Sequence, residues 1–155
     1  MADPFRIRRG TPADIPVITH HRLGMFAEMG FGDPSTYAEY AAAFQTFAAQ
    51  ELTAGRFHSW LAETAGGEII AGGAVMLVRY PSNPKQRRQE RAFLLNVFTE
   101  PAFRRRGIAR SLVQTMVDWC REQGFIAVFL HASEAGRPLY QSMGFQTTSE
   151  MRFDF

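Results

Sequence analysis

The stretch VFTEPAFRRRGIAR, residues 97–110, decides how the rest of the chain is read. It opens as an apolar, β-prone strand, turns at Pro101, and enters a helix near Gly107. The first four amides of a helix have no partner within it, and the macrodipole makes that end an anion site. Gly107 permits unusual dihedrals and a close approach of backbone to ligand, and Ala109 is small for the same purpose. Arg104, Arg105 and Arg106 sit at the wrong end of a helix for stability alone, because cations there oppose the dipole by roughly 0.3–1 kcal/mol each. An anion held between the arginines and the amides resolves the conflict, and a pyrophosphate satisfies both. The lysine and the Ser/Thr of a P-loop are absent, since Ile108 follows Gly107, and so is a three-glycine dinucleotide fingerprint.

Working outward, residues 5–8 read as a first strand. Asp14 is the expected N-cap of a helix carrying Ile15, Ile18, Leu23 and Phe26, with Pro16 in its first turn. After a break at 30–34, Ser35 or Thr36 opens a second helix through Tyr40, Phe44, Phe47 and Ala48 to Gly55. Strands are expected at 57–63 and 69–78, joined by a hairpin at Gly66-Gly67, with a bulge near Gly72 and Gly73. Residues 80–90 read as an exposed loop and 92–99 as a strand buried on both faces. The helix from about 107 to 123 presents Ile108, Leu112, Met116 and Trp119 as its apolar stripe. A strand at 125–131, a short helix at 139–143 and two last strands at 145–148 and 151–155 complete the order β-α-α-β-β-β-α-β-α-β-β. That is one mixed α/β domain over residues 1–155.

The 155 residues are 46% hydrophobic, enough for a real core, and no apolar run approaches the roughly 20 residues of a membrane span. One cysteine, Cys120, excludes an internal disulfide framework and a multi-cysteine metal site, and its position on the core side of a helix makes it inert. No apolar leader follows Met1, so a cytoplasmic location, without a membrane partner, is expected. The formal charge is only +2, yet residues 79–91 and 104–110 hold nine of the 17 basic residues, leaving eight against 14 acidic ones elsewhere. Two local basic patches on an acidic body point to a discrete anionic ligand. A nucleic-acid partner, which calls for a basic face, is not expected. The arginines of 79–91 are read as a solvated loop, His20 and His21 as surface helix residues, and Trp60 and Trp119 as core. No second ligand stands at helical spacing from the histidines, so no metal is expected.

RRRGIA fits the R/Q-x-x-G-x-G/A signature of the GNAT N-acetyltransferase superfamily, and it stands where that family places it, after the fourth strand. LNVFTEP is similar to the family's fourth strand and LYQSMGF, residues 139–145, to its later helix-to-strand signature. The resemblance runs over nearly the whole chain. It implies a twisted, mostly antiparallel mixed sheet of six to seven strands with helices on both faces. It implies acetyl-CoA as cosubstrate, held by Arg104, Arg105, Arg106, Gly107, Ile108, Ala109 and Arg110 at the pyrophosphate. Val97, Phe98 and Thr99 would lie along the pantetheine, with backbone pairing from Val97 and Thr99, in a splay between the fourth and fifth strands near Thr99 and Leu130. Ser133 stands seven residues before Tyr140, where the family often has Asn, and offers a hydroxyl to the cofactor. Tyr140 takes the place of the family's general acid.

The implied chemistry is direct attack of a primary amine, on a small molecule or a peptide, on the thioester. A phenol near pKa ~10 is suited to protonate a departing thiolate near ~8.5. Glu28, Glu90, His20, His21 and His131 are all open as the base, and Asn96 is placed to orient substrate or water. Substrate is expected near residues 25–36, the loop after Val78 and the last strands, and a homodimer is compatible with the family. The alternative on the same fold is a non-catalytic acyl-CoA-binding or sensing module.

Overall fold

A computed structural model describes residues 4–155. Its elements are β1 (Phe5–Arg9), α1 (Ile15–Met29), α2 (Tyr37–Thr53), β2 (Phe57–Thr64), β3 (Ile69–Arg79), β4 (Glu90–Thr99), α3 (Ile108–Glu122), β5 (Val128–Leu130) and α4 (Arg137–Ser142). The strands form one sheet in the order β1-β2-β3-β4-β5, antiparallel except for β4 and β5, which run parallel with α3 as the crossover.

Period-2 alternation sends each strand's side chains to two cores. Trp60 and Ala62 of β2, Val75 and Leu77 of β3, and Ala92 and Leu94 of β4 pack with Ile108, Leu112, Val113, Met116 and Cys120 of α3. Phe57, Leu61 and Ala74 pack on the other face with Ile15 and Ile18 of α1 and Phe44 and Ala48 of α2. Helices therefore cover both faces, as the sequence implies. The α3 stripe falls where its spacing puts it: Ile108, Leu112 and Met116 are buried and Trp119 is half-buried, edge-on to Trp60 at 5.4 Å.

Glycines let α1 and α3 sit close to the sheet. A Cβ on Gly72 would lie 2.9 Å from both His21 Nδ1 and Leu61 Cδ2, each on a residue that is 1% exposed. Gly72→Val is expected to destabilise the protein by about 2–3 kcal/mol in urea unfolding, since overpacked atoms there have nowhere to move. Gly66→Ala, whose Cβ meets only Thr64 Oγ1 at 3.8 Å, is the control. A Gly72→Val stability equal to that of the control would refute the close-packing account.

The bulge expected at Gly72 and Gly73 is present, and its strained residue lies across the ladder. Gly72 pairs with Phe98 and Ala74 with Leu95, so Asn96 and Val97 of β4 oppose Gly73 alone, and Asn96 takes a φ of 59°.

Five expectations are corrected. Among the described residues the sheet has five strands, not six or seven. β5 holds three residues rather than seven, and residues 145–148 and 151–155 form no strand. Their alternating pattern is real, but a strand needs a neighbour for its ladder, and here Met151, Phe153 and Phe155 stand 94%, 80% and 117% exposed. Asp14 does not cap α1 with its side chain. It closes a 3₁₀ turn, Pro12–Asp14, accepting from the Thr11 amide at 2.8 Å and from Arg8 at 2.9 Å. His21, read as a surface residue, is buried at 1% exposure beside Phe98.

Candidate active site

β4 pairs with β5 only from Ala92↔Val128 to Leu94↔Leu130. Beyond that point β4 runs on to Thr99 without a neighbour on this edge, so the two parallel strands part where the turn into α3 begins. The α3 crossover leaves the sheet there through two left-handed residues, Arg105 (φ 61°) and Gly107 (φ 79°). Such a turn presents successive N–H groups to one side, an anion-binding concavity. The first bond of α3 runs from the Ser111 amide to the Gly107 carbonyl at 3.1 Å, so the amides of Ile108, Ala109 and Arg110 have no intrahelical partner.

The parting strands and this turn form a cleft of about 710 Å³. Val97, Phe98, Thr99, Arg104, Arg105, Gly107, Ile108, Ala109, Arg110, Ser133 and Tyr140 all line it, so residues 43 positions apart in sequence meet at one surface. Arg106 is not among its lining residues; its guanidinium donates to the Ala102 carbonyl at 3.1 Å and stands 5.2 Å from the Phe103 ring centre. Met25, Glu28 and Met29 supply the α1 wall.

Arg104 and Arg110 are held by hydrogen bonds. Arg104 Nε donates to the Thr99 carbonyl at 2.9 Å, and its Nη2 donates to Glu28. Arg110 donates to the Ser142 hydroxyl at 2.7 Å. Thr99 Oγ1 is buried without a hydrogen-bond partner. The Ser133 hydroxyl accepts from the Gly136 amide at 3.1 Å and so orders the turn into α4. That helix carries Tyr140, half-buried and edge-on to Phe145 at 5.6 Å. Burial pushes the Tyr140 phenol above its ordinary value, which keeps it protonated.

The residues weighed as bases scatter. Glu28 lines the cleft but is paired with Arg104. Glu90 pairs with Arg88 at 3.3 Å at the far end of β4. His20 bonds Glu100 at 2.7 Å. His131 is exposed and stacked on Phe93 at 6.5 Å. Part of the 79–91 cluster also makes contacts: the exposed Arg88 donates to the Gln123 carbonyl at 2.8 Å, and Arg91 lies 3.4 Å from the Tyr80 ring centre. Burial pushes the Cys120 thiol up to about 11, as suits an inert core cysteine. Among the described residues no group of three or more His, Cys, Asp or Glu could hold a metal ion.

His21 ties the site's scaffold to pH. Burial lowers its pKa to about 4, while the nearby Glu100 carboxylate acts in the opposite sense. An unfolded histidine titrates near ~6.5, so between these values the unfolded chain binds more protons and stability falls as pH drops. The expected loss from pH ~6.5 to ~4 is on the order of 3 kcal/mol. His21→Asn should flatten this limb in urea titrations, and an unchanged slope would count against it. The Asp14 carboxylate, held at about 2 chiefly by its bonds to Arg8, acts in a separate window. Its contribution is present above ~3.9 and is lost as pH falls toward 2.

Two residues of consequence escaped the sequence reading. Arg22 reaches Asn96 Oδ1 at 2.5 Å and the Tyr40 hydroxyl at 2.6 Å, and it gathers α1, α2 and the β4 bulge. Gly24 brings α1 onto Phe98, within 2.9 Å of a built Cβ. The one available signal was a charge at position 22, spaced four from both Ile18 and Phe26 on the apolar stripe of α1.

The sequence profile of the acetyltransferase (GNAT) family matches residues 24–145. The chain belongs to that family. A GCN5-related N-acetyltransferase from Ralstonia eutropha JMP134 superposes with a TM-score of 0.89 at 31% identity, covering 98% of this chain and 99% of that one. A predicted acetyltransferase with acetyl-CoA from Clostridium acetobutylicum gives a TM-score of 0.85 at 25% identity, covering 98% and 96%. N-acetyltransferase 8 of Rattus norvegicus is 37% identical over 98 residues, 61% of this chain and 42% of that protein. This GNAT chain thus matches about two-fifths of the length of such curated relatives. No helix among its described residues is long and apolar enough to cross a membrane.

Proposed function

We propose that this GNAT domain is an N-acetyltransferase that moves the acetyl group of acetyl-CoA to a primary amine of a small molecule or peptide, with Tyr140 as the general acid. The observation that carries the reading is the cleft itself, which joins the Arg104–Gly107 turn, the open edge of β4 and Tyr140 on one surface.

The residues present fit acetyl-CoA. The amides of Ile108, Ala109 and Arg110 and the Arg105 side chain suit a pyrophosphate. A Cβ built on Gly107 would meet nothing within 4 Å, so the turn is open to a ligand. The free edge of β4 at Val97 suits an extended, amide-bearing arm added like a strand, and the unpartnered Thr99 hydroxyl lies on the same edge. Acetyl-CoA bound here supplies a thioester carbonyl open to attack.

A neutral amine is required, so the ammonium, near ~10.4 when unperturbed, must lose its proton to desolvation or to a base. A C–N bond then forms as the C–S bond breaks, the Tyr140 hydroxyl gives its proton to the leaving sulfur, and the proton shed by the acylated nitrogen returns through water to restore the phenol. The test is acetyl-CoA binding by calorimetry, followed by release of free thiol over a panel of amines. Binding with turnover is the expected result. Binding without turnover of any amine would favour a non-catalytic acyl-CoA module, and no binding by the folded protein would overturn the reading altogether.

A further inference from the structure

Arg22 is half-buried on α1, and its side-chain hydrogen bonds go to Tyr40 and Asn96, with no carboxylate among the described residues in an ion pair with it. Nε donates to the Tyr40 hydroxyl at 2.6 Å and Nη1 to Asn96 Oδ1 at 2.5 Å. The guanidinium carbon stands 4.8 Å from the Phe26 ring centre, 5.0 Å from that of Phe44 and 6.0 Å from that of Tyr40. All of these partners are neutral. By contrast, Arg8, Arg56 and Arg104 each hold a carboxylate. An arginine remains protonated in a protein, and one drawn away from water normally has a counter-ion. The ring faces return only part of what lost hydration costs.

The hydrogen bonds leave a defined set of donors. A guanidinium only donates, so the Asn96 amide must turn its oxygen to Arg22. Asn96 is itself enclosed, 3% exposed at the β4 bulge with a φ of 59°. Tyr40 accepts from Nε and keeps its own hydroxyl proton to give. The Nη2 donors and that hydroxyl form a fork suited to a carboxylate.

The position fits an acceptor. Asn96 directly precedes Val97, and Met25 follows Arg22 by three residues on α1; Val97 and Met25 both line the cleft that also carries Tyr140. Arg22 is not itself among the lining residues, but it stands beside two that are, on the elements that wall the cleft. From it an aromatic row leads outward: Phe26 packs against Tyr40 at 5.8 Å and Phe31 at 5.3 Å, and Phe31 is 64% exposed. We infer, resting on the acyltransferase reading, that the acceptor is an amine bearing a neighbouring carboxylate and an apolar side chain, an amino acid or its conjugate. Arg22 and Tyr40 bind the carboxylate, and the Phe26–Phe31 row receives the apolar part.

The test uses matched acceptors with and without the carboxylate: phenylalanine against phenethylamine, and methionine against 3-(methylthio)propylamine. Wild type, Arg22→Gln, Arg22→Lys and Tyr40→Phe are compared in kcat/KM, with acetyl-CoA affinity measured on each as the control for folding. Wild type is expected to prefer the carboxylate member by about 100-fold or more, because a site built for that group leaves donors unpaired without it. Arg22→Gln should remove most of the preference, Arg22→Lys should retain part, and Tyr40→Phe should lower it several-fold, all with acetyl-CoA affinity unchanged. Equal use of both members by wild type, or a preference that survives Arg22→Gln, overturns the carboxylate site and leaves the acyltransferase standing. Acetyl-CoA binding with neither turnover nor calorimetric binding of the amino acids to the CoA complex also overturns it. Failure to bind acetyl-CoA sinks the acyltransferase reading instead.

Discussion

Tyr140→Phe is expected to lower kcat for amine acetylation by roughly 10²–10³-fold, within the range that a positioned general acid supplies, and to leave acetyl-CoA affinity unchanged. The change deletes one hydroxyl. The ring that packs edge-on to Phe145 at 5.6 Å stays, so α4 and the cleft wall keep their shape. The phenol is a suitable donor because burial holds its pKa above the ordinary value, and it is therefore protonated throughout the neutral range. Wild-type kcat should show no basic limb from this group until pH passes that raised value. Acylated donors with a more acidic leaving thiol, such as aryl thioesters, should narrow the gap between the two proteins, since a good leaving group needs less help from an acid. A variant that turns over at the wild-type rate with acetyl-CoA would remove Tyr140 from the chemistry. It would shift attention to water in the cleft as the proton source.

How much of this was legible in the sequence depended on how local the cause was. The turn at residues 104–109 is a local object: a glycine, three arginines and a helix start carry their meaning in six residues, and the structure gives Gly107 the left-handed φ that such a turn needs. The two-faced packing of β2, β3 and β4 followed from alternation, and the α3 stripe from its 3.6-residue period. The opening of the sheet was legible only through family resemblance. Its length, from Leu95 to Thr99, is set by where β5 leaves β4, and β5 proved to be three residues long. The last two strands failed because alternation records which side chains a strand would bury, and says nothing of whether an edge is at hand to pair with it. Asp14 failed for a similar reason. Its carboxylate had two possible partners, the helix amides ahead or Arg8 behind, and a charged bidentate bond is the stronger. Arg22 lay out of reach because its partner Asn96 is 74 residues away and the contact depends on a bulge in another element.

Gly107→Glu is expected to weaken acetyl-CoA binding by 100-fold or more, and Gly107→Ala by far less. Both variants place a side chain at a φ of 79°, a conformation that costs an L-residue about 1–2 kcal/mol, so both should lose similar stability in urea unfolding. The Cβ that both variants add meets no atom within 4 Å in the free protein. The two differ in charge. A glutamate carboxylate about 5 Å from one phosphate charge is repelled by roughly 3 kcal/mol at an effective dielectric near 20, which corresponds to more than a 100-fold loss. It also competes for the unpaired amides of Ile108, Ala109 and Arg110, where a carboxylate is itself a good cap. Calorimetry on the three proteins therefore separates strain from electrostatics. Loss in both variants alike would mean that the left-handed turn itself is the requirement. Retained affinity in the glutamate variant would mean that no pyrophosphate approaches this turn.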